Sequence, residues 1–585
     1  MNKSYSYHTF LFPFLWNDGG RLNWDDFKKV LSIGTRWVET SWKKEEIPGY
    51  KNETEWQQDY AAFQYFTEPA NNVIFNTRGD NVLRCFEYRY NGKPIKNNGK
   101  YIVTKDKDIY QLNINCIRLH VYDIGVAILI LELENQERPS LDAVNAINEY
   151  GRRINMPFLY PGKSHPVCAD KIEITLDGKQ FETENYLCTL IELAQDSKDK
   201  KKHISLNYIM SPIQKLLDGD GIDNGGYKVT SNVTHTELRK LFIKPCVDDR
   251  MFVCCIVVDE GFGNEVRKYD VDEKEYHYLS DCDLHLRDSM GDLVSDDEII
   301  ANKLYKFCHI ETSPTCQSAT MKKEILKTCI YDRWIDYGTY HAMTHHSFMC
   351  VSTDSSSINA FLTLYVQLAV LTLAQRAVIL LLSGEASSVA EGFKDDVSIT
   401  SEQICEIERL QAKYVKAQNQ LLLSEITVQE QGVEIYNLIR KQLYIDTNKA
   451  ELAEQLNNLR DVANISNERL ERDRDRERVE REGRKEQLER ERDREQAERD
   501  REQAEREHQL DTKLNLLAIA ISLLAIFEPV SFVIKDVIVK FFNCTNVENT
   551  VIWALLDVVA VFVIWDNWKR KGRRGNGKND DFRRQ

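Results

Sequence analysis

The sequence has too few basic residues to balance its acidic ones. Its 585 residues include 77 lysines and arginines against 92 aspartates and glutamates, which gives a formal net charge of −15 at pH 7. Because this balance repels phosphate, we expect no direct binding to nucleic acid. A chain of this length is also too long for one hydrophobic core, so two or more structural units are expected.

Disulfide and metal signatures are weak. The 14 cysteines have no short repeating spacing, which favours reduced thiols in a cytosolic domain over a disulfide framework. One region rich in Cys and His could bind zinc, but its spacings match no tight zinc motif, and buried thiols with a histidine satisfied in the core are the favoured interpretation. The residues concerned are Cys308, Cys316, Cys329, His341, His345, His346 and Cys350.

Catalytic signatures are absent from the sequence. No phosphate loop of Gly-x4-Gly-Lys-Ser/Thr form occurs, and "GFGNEV" lacks the third glycine of a dinucleotide loop. His341 and His345 are four residues apart, but Ala342 stands where a zinc protease has its glutamate. We therefore predict that the protein is not an enzyme. The apolar run "TFLFPFLW" is short and broken by Pro13, so it predicts a strand and no signal peptide.

Two apolar segments near the end of the chain predict membrane spans. Residues 514–534 hold one ionisable side chain in 21 residues, which is enough to cross a bilayer core of roughly 30 Å. Residues 551–565 are shorter and are bracketed by tryptophans that suit the head-group layer. Only a short polar loop separates the two segments, so they predict an antiparallel hairpin in the lipid bilayer.

The basic tail predicts the orientation of this hairpin. Eight Lys and Arg residues follow residue 565, and the positive-inside rule keeps such a tail in the cytoplasm. We expect a multi-pass protein of the cell inner membrane with cytoplasmic N- and C-termini. A third apolar segment, residues 361–382, contains Gln367, Gln375 and Arg376. A third span would force one end outside, so this segment predicts a helix buried in protein.

A charged segment precedes the first span. Residues 491–506 repeat "ERDREQA" every seven residues, within a longer stretch of alternating Arg and Glu or Asp that begins at Glu468. Opposite charges three and four residues apart stabilise a helix, whereas a coiled coil needs two apolar positions per heptad. The segment predicts a stiff, charged helical rod that can run into the first span without a turn.

Upstream of the rod, apolar residues between Ile407 and Leu452 follow a heptad pattern that predicts a helical seam. Asn and Ser residues in "NKAELAEQ" and "NISNERL" mark places where the long helix could break and restart. The preceding chain mixes apparent strands with amphipathic helices, so the fold class is α+β followed by a long α-helical stalk and two transmembrane helices. The apparent strands are "SYHTFLFPFLW", "VLRCFEYRY", "IGVAILILELE" and "RMFVCCIVVDE", and "SLDAVNAINEYGRRI" is an amphipathic helix. The expected regions are 1–345, a cytoplasmic α+β domain; 346–400, a buried helical connector; 401–512, a long helical stalk with the rod at 468–511; 513–568, the transmembrane hairpin; and 569–585, the basic cytoplasmic tail.

An acidic residue near the middle of the first span is the main candidate for function. A carboxylate in a bilayer is costly unless it faces water or a partner, whereas a proline such as Pro529 is tolerated there as a helix kink. If several copies of the span surround an axis, one helix face lines a pore, and a ring of carboxylates favours cations. That face carries Leu517, Leu524, Glu528, Ser531 and Lys535. The alternative is that Glu528 is protonated or paired in a bundle that does not conduct. Asp557 is a second intramembrane acid.

A nucleotide could stack on aromatic residues beside cations in "GTRWVETSWKK". The candidates are Arg36, Trp37, Trp42 and Lys43, although a core position with a solvated rim explains the same pattern. The sequence does not locate a ligand pocket.

Taken together, these features resemble the CorA superfamily of pentameric divalent-cation channels. "IFEPVSF" is similar to the family segment "IFMPLTF", and the resemblance places Glu528 and Ser531 on pore-facing positions and Pro529 on the family proline. It implies a homo-pentamer and a possible divalent cation. The Gly-Met-Asn motif that selects magnesium in CorA transporters is replaced by Ile538, Val539 and Lys540, which argues against magnesium transport.

The large soluble part is similar to the CorA-like proteins of type III CRISPR systems. The similar segments are "YDIGVAILILELEN", "INEYGRRI" and "LYVQLAVLTLAQRAVILLL". This resemblance implies a membrane effector of antiviral defence that opens on binding a small nucleotide second messenger made from S-adenosylmethionine and ATP. A magnesium-like transporter and a membrane-anchored scaffold without a pore are the alternatives.

Overall fold

The structure is a computed structural model. It describes residues 5–16, 36–41, 53–77, 82–90, 93–96, 98–154, 168–176, 179–182, 244–248, 250–268, 296–393, 399–542 and 565. The chain divides into two compact units, Met1–Arg469 and Leu470–Gln585. The content is mixed α and β with one long helical region, which confirms the coarse fold class.

The first unit is built on a large mixed sheet, in which fourteen strands are described. Their bounds are β1 Ser6–Leu15, β2 Trp37–Thr40, β3 Leu83–Tyr90, β4 Lys93–Pro94, β5 Gly99–Lys105, β6 Asp108–Tyr122, β7 Val126–Asn135, β8 Lys171–Leu176, β9 Lys179–Glu182, β10 Lys244–Pro245, β11 Phe252–Val258, β12 Ile330–Trp334, β13 Thr339–Met343 and β14 Ser347–Ser352.

The strand order runs β12-β13-β14-β11-β1-β7-β6-β5-β8-β9, with β10, β2, β3 and β4 attached at its sides. Among the described strands, β11 and β14 pair in parallel and every other pair is antiparallel. The runs around His8, Phe86, Leu129 and Cys255 are therefore strands, as the sequence predicted.

A proline lies inside a central strand. Pro13 pairs with Ile128 of β7 on one side. On the other side β11 pairs only as far as Leu11, and β10 begins opposite Phe14. Pro13 thus falls between two neighbouring strands, where the missing N–H costs the sheet little.

Eleven helices are described. They are α1 Glu53–Tyr65, α2 Glu68–Phe75, α3 Leu141–Gly151, α4 Glu260–Lys268, α5 Asp296–His309, α6 Ala319–Cys329, α7 Ser356–Ala360, α8 Val366–Glu391, α9 Ser401–Gln420, α10 Glu430–Gln442 and α11 Ile445–Phe542. A π-helical turn, Phe361–Tyr365, joins α7 to α8.

The sheet has helices on both faces. On one face α3, α4, α5 and α6 share a core with alternate strand residues such as Phe10, Leu131 and Val253. On the other face α8 packs against β1 and β7 and is itself covered by α9 and α10. A helix that is apolar on all sides suits such a position between a sheet and other helices.

The predicted burial of residues 361–382 is confirmed. Ser356–Glu391 is the one helix in the described part of the chain that is long and apolar enough to cross a membrane by length and composition, with a mean hydropathy of 1.8. However, 78% of its most apolar window is buried inside the protein. The core helix of a soluble domain passes the same test, so this helix is weak evidence for a membrane location.

Two expected boundaries differ from the structure. The sheet continues beyond residue 345, because β14 pairs with both β11 and β13. Residues 401–442 do not belong to one stalk but form two helices, α9 and α10. The segment between them is held to α1 by hydrogen bonds from Thr67 N to Ile426 O (2.8 Å) and from Thr427 Oγ1 to Tyr65 O (2.5 Å). The apolar seam is therefore internal packing of the first unit.

The long helix has no break at the expected caps. α11 runs through Asn464 and Ser466 without interruption, and Ser466 is buried. In the second unit, Leu470–Phe542 is continuous helix, about 110 Å long at 1.5 Å per residue. The prediction that the rod continues as helix into residues 514–534 is confirmed.

Candidate anion-binding site

The last turn of α3 brings two arginines into the first unit. α3 begins at the N-cap Ser140, whose Oγ accepts a hydrogen bond from Ala143 N at 3.2 Å. At the other end a Cβ on Gly151 would lie 3.1 Å from a ring carbon of Phe10, so glycine permits the close approach of α3 to the sheet. Arg152 and Arg153 follow directly, where the helix dipole favours positive charge.

A buried carboxylate holds both guanidinium groups. Glu149 accepts from Arg152 Nη2 and from Arg153 Nη2, each at 2.8 Å. Arg152 is only 1% exposed, and its Nη2 is also 3.5 Å from Ile310 O. Arg152 Nε and Nη1 have no hydrogen-bond partner among the described residues. Two donors of one buried cation are thus available to an acceptor.

Strand starts bring further positive charge to the same place. Arg250 precedes β11 and donates from Nη2 to Asp248 Oδ2 at 2.8 Å. Its backbone forms a bridge with Arg153, and Met251 N donates to Arg152 O at 2.7 Å. Main-chain bonds therefore hold the segment around Arg250 to Arg152 and Arg153.

A fourth arginine approaches from α8. Arg376 Nη1 donates to His345 O at 3.3 Å, while Arg376 Nε is buried without a partner among the described residues. Burial lowers the pKa of Arg376, and the nearby charge of Asp248 acts in the opposite direction. Arg376 therefore lies on the side of the first unit that also carries the Asp248–Arg250 ion pair. We call Arg152, Arg153, Arg250 and Arg376 the arginine cluster.

The positive charges in this region act on one another and on His346. Burial lowers the pKa of Arg152 to about 10, and the charges of Arg250 and Arg153 act in the same direction. Burial and then the charges of Arg152 and Arg250 lower the pKa of His346 to about 3. His346 is therefore neutral, and its Nε2 donates to His309 O at 3.1 Å. Within the described residues, Glu149 and Asp248 lie beside these cations.

The buried Nε and Nη1 of Arg152, which have no partner among the described residues, are unfavourable unless an acceptor satisfies them. Guanidinium groups bind the oxygens of phosphates and carboxylates through paired, charge-assisted hydrogen bonds. The arrangement is therefore suited to a phosphate or carboxylate group of a small ligand. Sequence reasoning missed this site, and the only local signal was the Arg-Arg pair after a buried amphipathic helix.

The pore candidates lie on or beyond α11. Leu517 is on α11 and is 59% exposed. The helix also includes Leu524, Glu528, Pro529, Ser531 and Lys535, but their side chains are outside the described residues, as is Asp557. The pore assignment of these residues stays a prediction.

The aromatic nucleotide candidates are not brought to the arginine cluster in the described structure. Trp37 is a core residue, 6% exposed, with its ring in T-shaped contact with Tyr88 at 5.4 Å. Arg36 Nη1 donates to the Tyr88 hydroxyl at 3.1 Å. Trp42 and Lys43 lie outside the described residues. The structure therefore places Trp37 in the hydrophobic core, where its ring is not available to stack on a nucleotide.

The Cys- and His-rich region is divided among several environments. His341 is buried in a ring of aromatic side chains, with Trp334 nearest at 5.3 Å between ring centroids. Burial raises the pKa values of Cys308 and Cys350 well above their usual range. Within the described residues, no three His, Cys, Asp or Glu side chains are arranged to hold a metal ion.

Comparison with protein-family models, with curated proteins and with solved structures finds no match to this chain.

Proposed function

We propose that the protein is a ligand-gated membrane channel of CorA-like, pentameric architecture, opened by a nucleotide that binds the arginine cluster. The observation that carries this proposal is the single helix α11. It begins at Ile445 inside the first unit and continues through the charged rod into the apolar segment that starts at Leu514.

In the apolar part of α11, the large apolar side chains that the structure describes are all exposed. Leu514, Leu516, Leu517, Ile519, Ile521 and Leu523 are between 55% and 61% exposed. At 100° per residue these positions spread over about 220° of the helix circumference, so burial of one narrow stripe cannot remove them all from water. A lipid bilayer or other copies of the same helix would cover them, and both occur together in an oligomeric channel.

The arginine cluster supports a nucleotide as the ligand. Phosphate oxygens match the paired donors of guanidinium groups. The resemblance to the CRISPR-associated subgroup suggests a conjugate of S-adenosylmethionine and AMP, in which a phosphate accompanies a cationic sulfur. Opening requires that the conjugate bind the open arrangement more tightly than the closed one.

Ion flux through reconstituted vesicles tests this function. We expect the S-adenosylmethionine–AMP conjugate to raise cation flux through the full chain by about tenfold or more. Arg152→Gln should abolish the response, because it removes the buried donors, whereas Arg484→Gln on the exposed rod should retain it. Thermal unfolding would verify that Arg152→Gln is folded.

Two other results would contradict the proposal. Flux that follows magnesium and ignores the conjugate would indicate a divalent-cation transporter. The absence of flux under every condition, with the chain correctly inserted, would indicate a membrane-anchored scaffold.

A further inference from the structure

The turn that starts α11 lies beside the arginine cluster. Tyr444, between α10 and α11, has a φ of 53°, in the left-handed region that residues with a Cβ rarely adopt. Its ring centroid is 5.1 Å from that of His345. Tyr444 is also close enough to Arg376 to influence the pKa of that guanidinium. Arg376 Nη1 donates to His345 O, so the Tyr444 ring contacts the residue to which Arg376 is hydrogen-bonded.

A buried hydrogen-bond network reaches the same turn from α8. Gln375, next to Arg376 in the chain, donates to the Tyr436 hydroxyl at 2.9 Å. The Tyr436 hydroxyl donates to Leu423 O at 2.6 Å, and Arg440 Nη1 donates to the same carbonyl at 2.8 Å. Arg440 Nη2 pairs with Asp446 in the first turn of α11.

Two consecutive residues of α8, Gln375 and Arg376, therefore take part in different interactions. Arg376 faces the anion site, and Gln375 holds the network that ends on α11. A rotation or shift of α8 moves both, because neighbouring residues on one helix are rigidly connected. The turn between α10 and α11 is thereby held at two points, by Tyr444 and by Asp446.

We propose that the turn Leu443–Asp446 is the linkage through which an anion in the arginine cluster acts on α11. This inference rests on the proposed function. An incoming phosphate offers an acceptor to Arg376 Nε, which has no partner among the described residues. Movement of Arg376 displaces His345, and the contact with Tyr444 passes that displacement to the start of α11.

The backbone of Tyr444 suits this role. A left-handed conformation costs a residue with a Cβ about 1–2 kcal/mol. In Tyr444 it is accompanied by the hydrogen bond from Tyr444 N to Lys441 O at 3.2 Å and by the ring contact with His345, while the residue as a whole is 51% exposed. Movement of His345 removes the ring contact. The turn then has a second available conformation, which is what a two-state linkage requires.

The test separates binding from gating in the full chain. Tyr444→Gly keeps a residue that readily adopts positive φ but removes the ring. We expect it to bind the S-adenosylmethionine–AMP conjugate as the wild type does, while conjugate-evoked cation flux in vesicles falls about tenfold or more. Asp446→Asn, at a side chain that is 71% exposed, should fold normally and lose part of the response. Tyr337→Ala, at a side chain that is 75% exposed and distant in sequence from the turn, is the control and should leave binding and flux unchanged.

Each alternative result is decisive. If Tyr444→Gly retains both binding and the full flux response, the linkage is wrong and the proposed function stands. If Tyr444→Gly loses binding, Tyr444 is a ligand-binding residue and the linkage is again wrong. A wild-type chain that neither binds the conjugate nor conducts would overturn the proposed function and this inference with it.

Discussion

Several histidines are held neutral inside the first unit, in different environments. His8 is fully buried between two polar partners, with Nδ1 2.6 Å from Asn148 Oδ1 and Nε2 2.9 Å from Ser6 Oγ. His341 is 1% exposed, and neither ring nitrogen has a hydrogen-bond partner among the described residues. Burial lowers the pKa of His8 to about 4 and that of His341 to about 3.

These lowered pKa values make the first unit sensitive to acid. An unfolded histidine has a pKa near 6.5, so below that pH the unfolded chain binds protons that the folded chain does not. The free energy of unfolding is therefore insensitive to these residues above about pH 6.5 and decreases as the pH falls toward about 3.

His341→Leu tests this at one residue. A histidine with these two pKa values destabilises the folded chain by about 2 kcal/mol at pH 5 relative to pH 8. We expect the drop in unfolding free energy between pH 8 and pH 5 to be about 2 kcal/mol smaller in the variant than in the wild type. At pH 5 the variant should be at least as stable as the wild type. Denaturant unfolding of the full chain at both pH values, followed by tryptophan fluorescence, measures it.

Phe348→Leu is the matched control, because Phe348 packs against His341 at 5.9 Å and has no ionisable group. It should lose similar stability at both pH values. Identical pH dependence in His341→Leu and wild type would contradict the assignment of His341 as a neutral, buried group.

The arginine cluster shows why residues alone did not reveal the site. Arg152 and Arg153 are adjacent in the sequence, but Arg250 and Arg376 are about 100 and 220 positions further along. Their proximity depends on the pairing of β11 with its neighbours and on the packing of α8 against the sheet. No spacing rule connects such distant positions, so only the tertiary structure could bring them together.

At the scale of elements, the strongest patterns were predicted correctly. The apolar runs of β1, β7 and β11 and the amphipathic α3 formed as expected, because their side-chain periodicity matches their environment. The burial of α8 followed from its polar residues: Gln375 is fully buried and makes hydrogen bonds that lipid could not supply. The proposed breaks in α11 were wrong, since capping residues permit a helix end but do not impose one.

The charged rod explains how α11 stays helical without a core. Its side chains are exposed, and acidic residues precede arginines by three or four positions, the favourable order. Examples are Asp475–Arg478 at 3.2 Å, Glu477–Arg481 at 3.2 Å and Glu495–Arg499 at 3.3 Å. Each exposed pair contributes about 0.3–0.5 kcal/mol. Stability is therefore spread along the rod.

Gly483 allows a test of the rod as a transmitting element. It lies within α11, and no atom would lie within 4 Å of an added Cβ. Gly483→Pro should break the helix at a cost of about 3 kcal/mol, so that the conjugate still binds but no longer raises flux. Gly483→Ala, which improves helix propensity by about 1 kcal/mol, should retain the response.

Binding and flux assays on the two variants test whether the rod transmits the signal from the bound conjugate to the membrane segment. Equal flux responses in Gly483→Pro and Gly483→Ala would show that α11 does not carry the signal.

At the scale of the whole molecule, composition and architecture are consistent with one function. The net charge of −15 disfavours general affinity for nucleic acid, yet the first unit brings several arginines to one place. This contrast favours a small anionic ligand over a polymer. Acidic residues on several rods would also raise the local concentration of cations.

The central claim is that Glu528 lines a water-filled path for cations. The most direct test compares wild type with Glu528→Gln in the same vesicles, measuring the reversal potential of the conjugate-evoked current under a salt gradient. A ring of carboxylates predicts cation selectivity in the wild type and a marked loss of it in the variant, with conjugate binding unchanged. A reversal potential that is the same in both proteins would contradict the account.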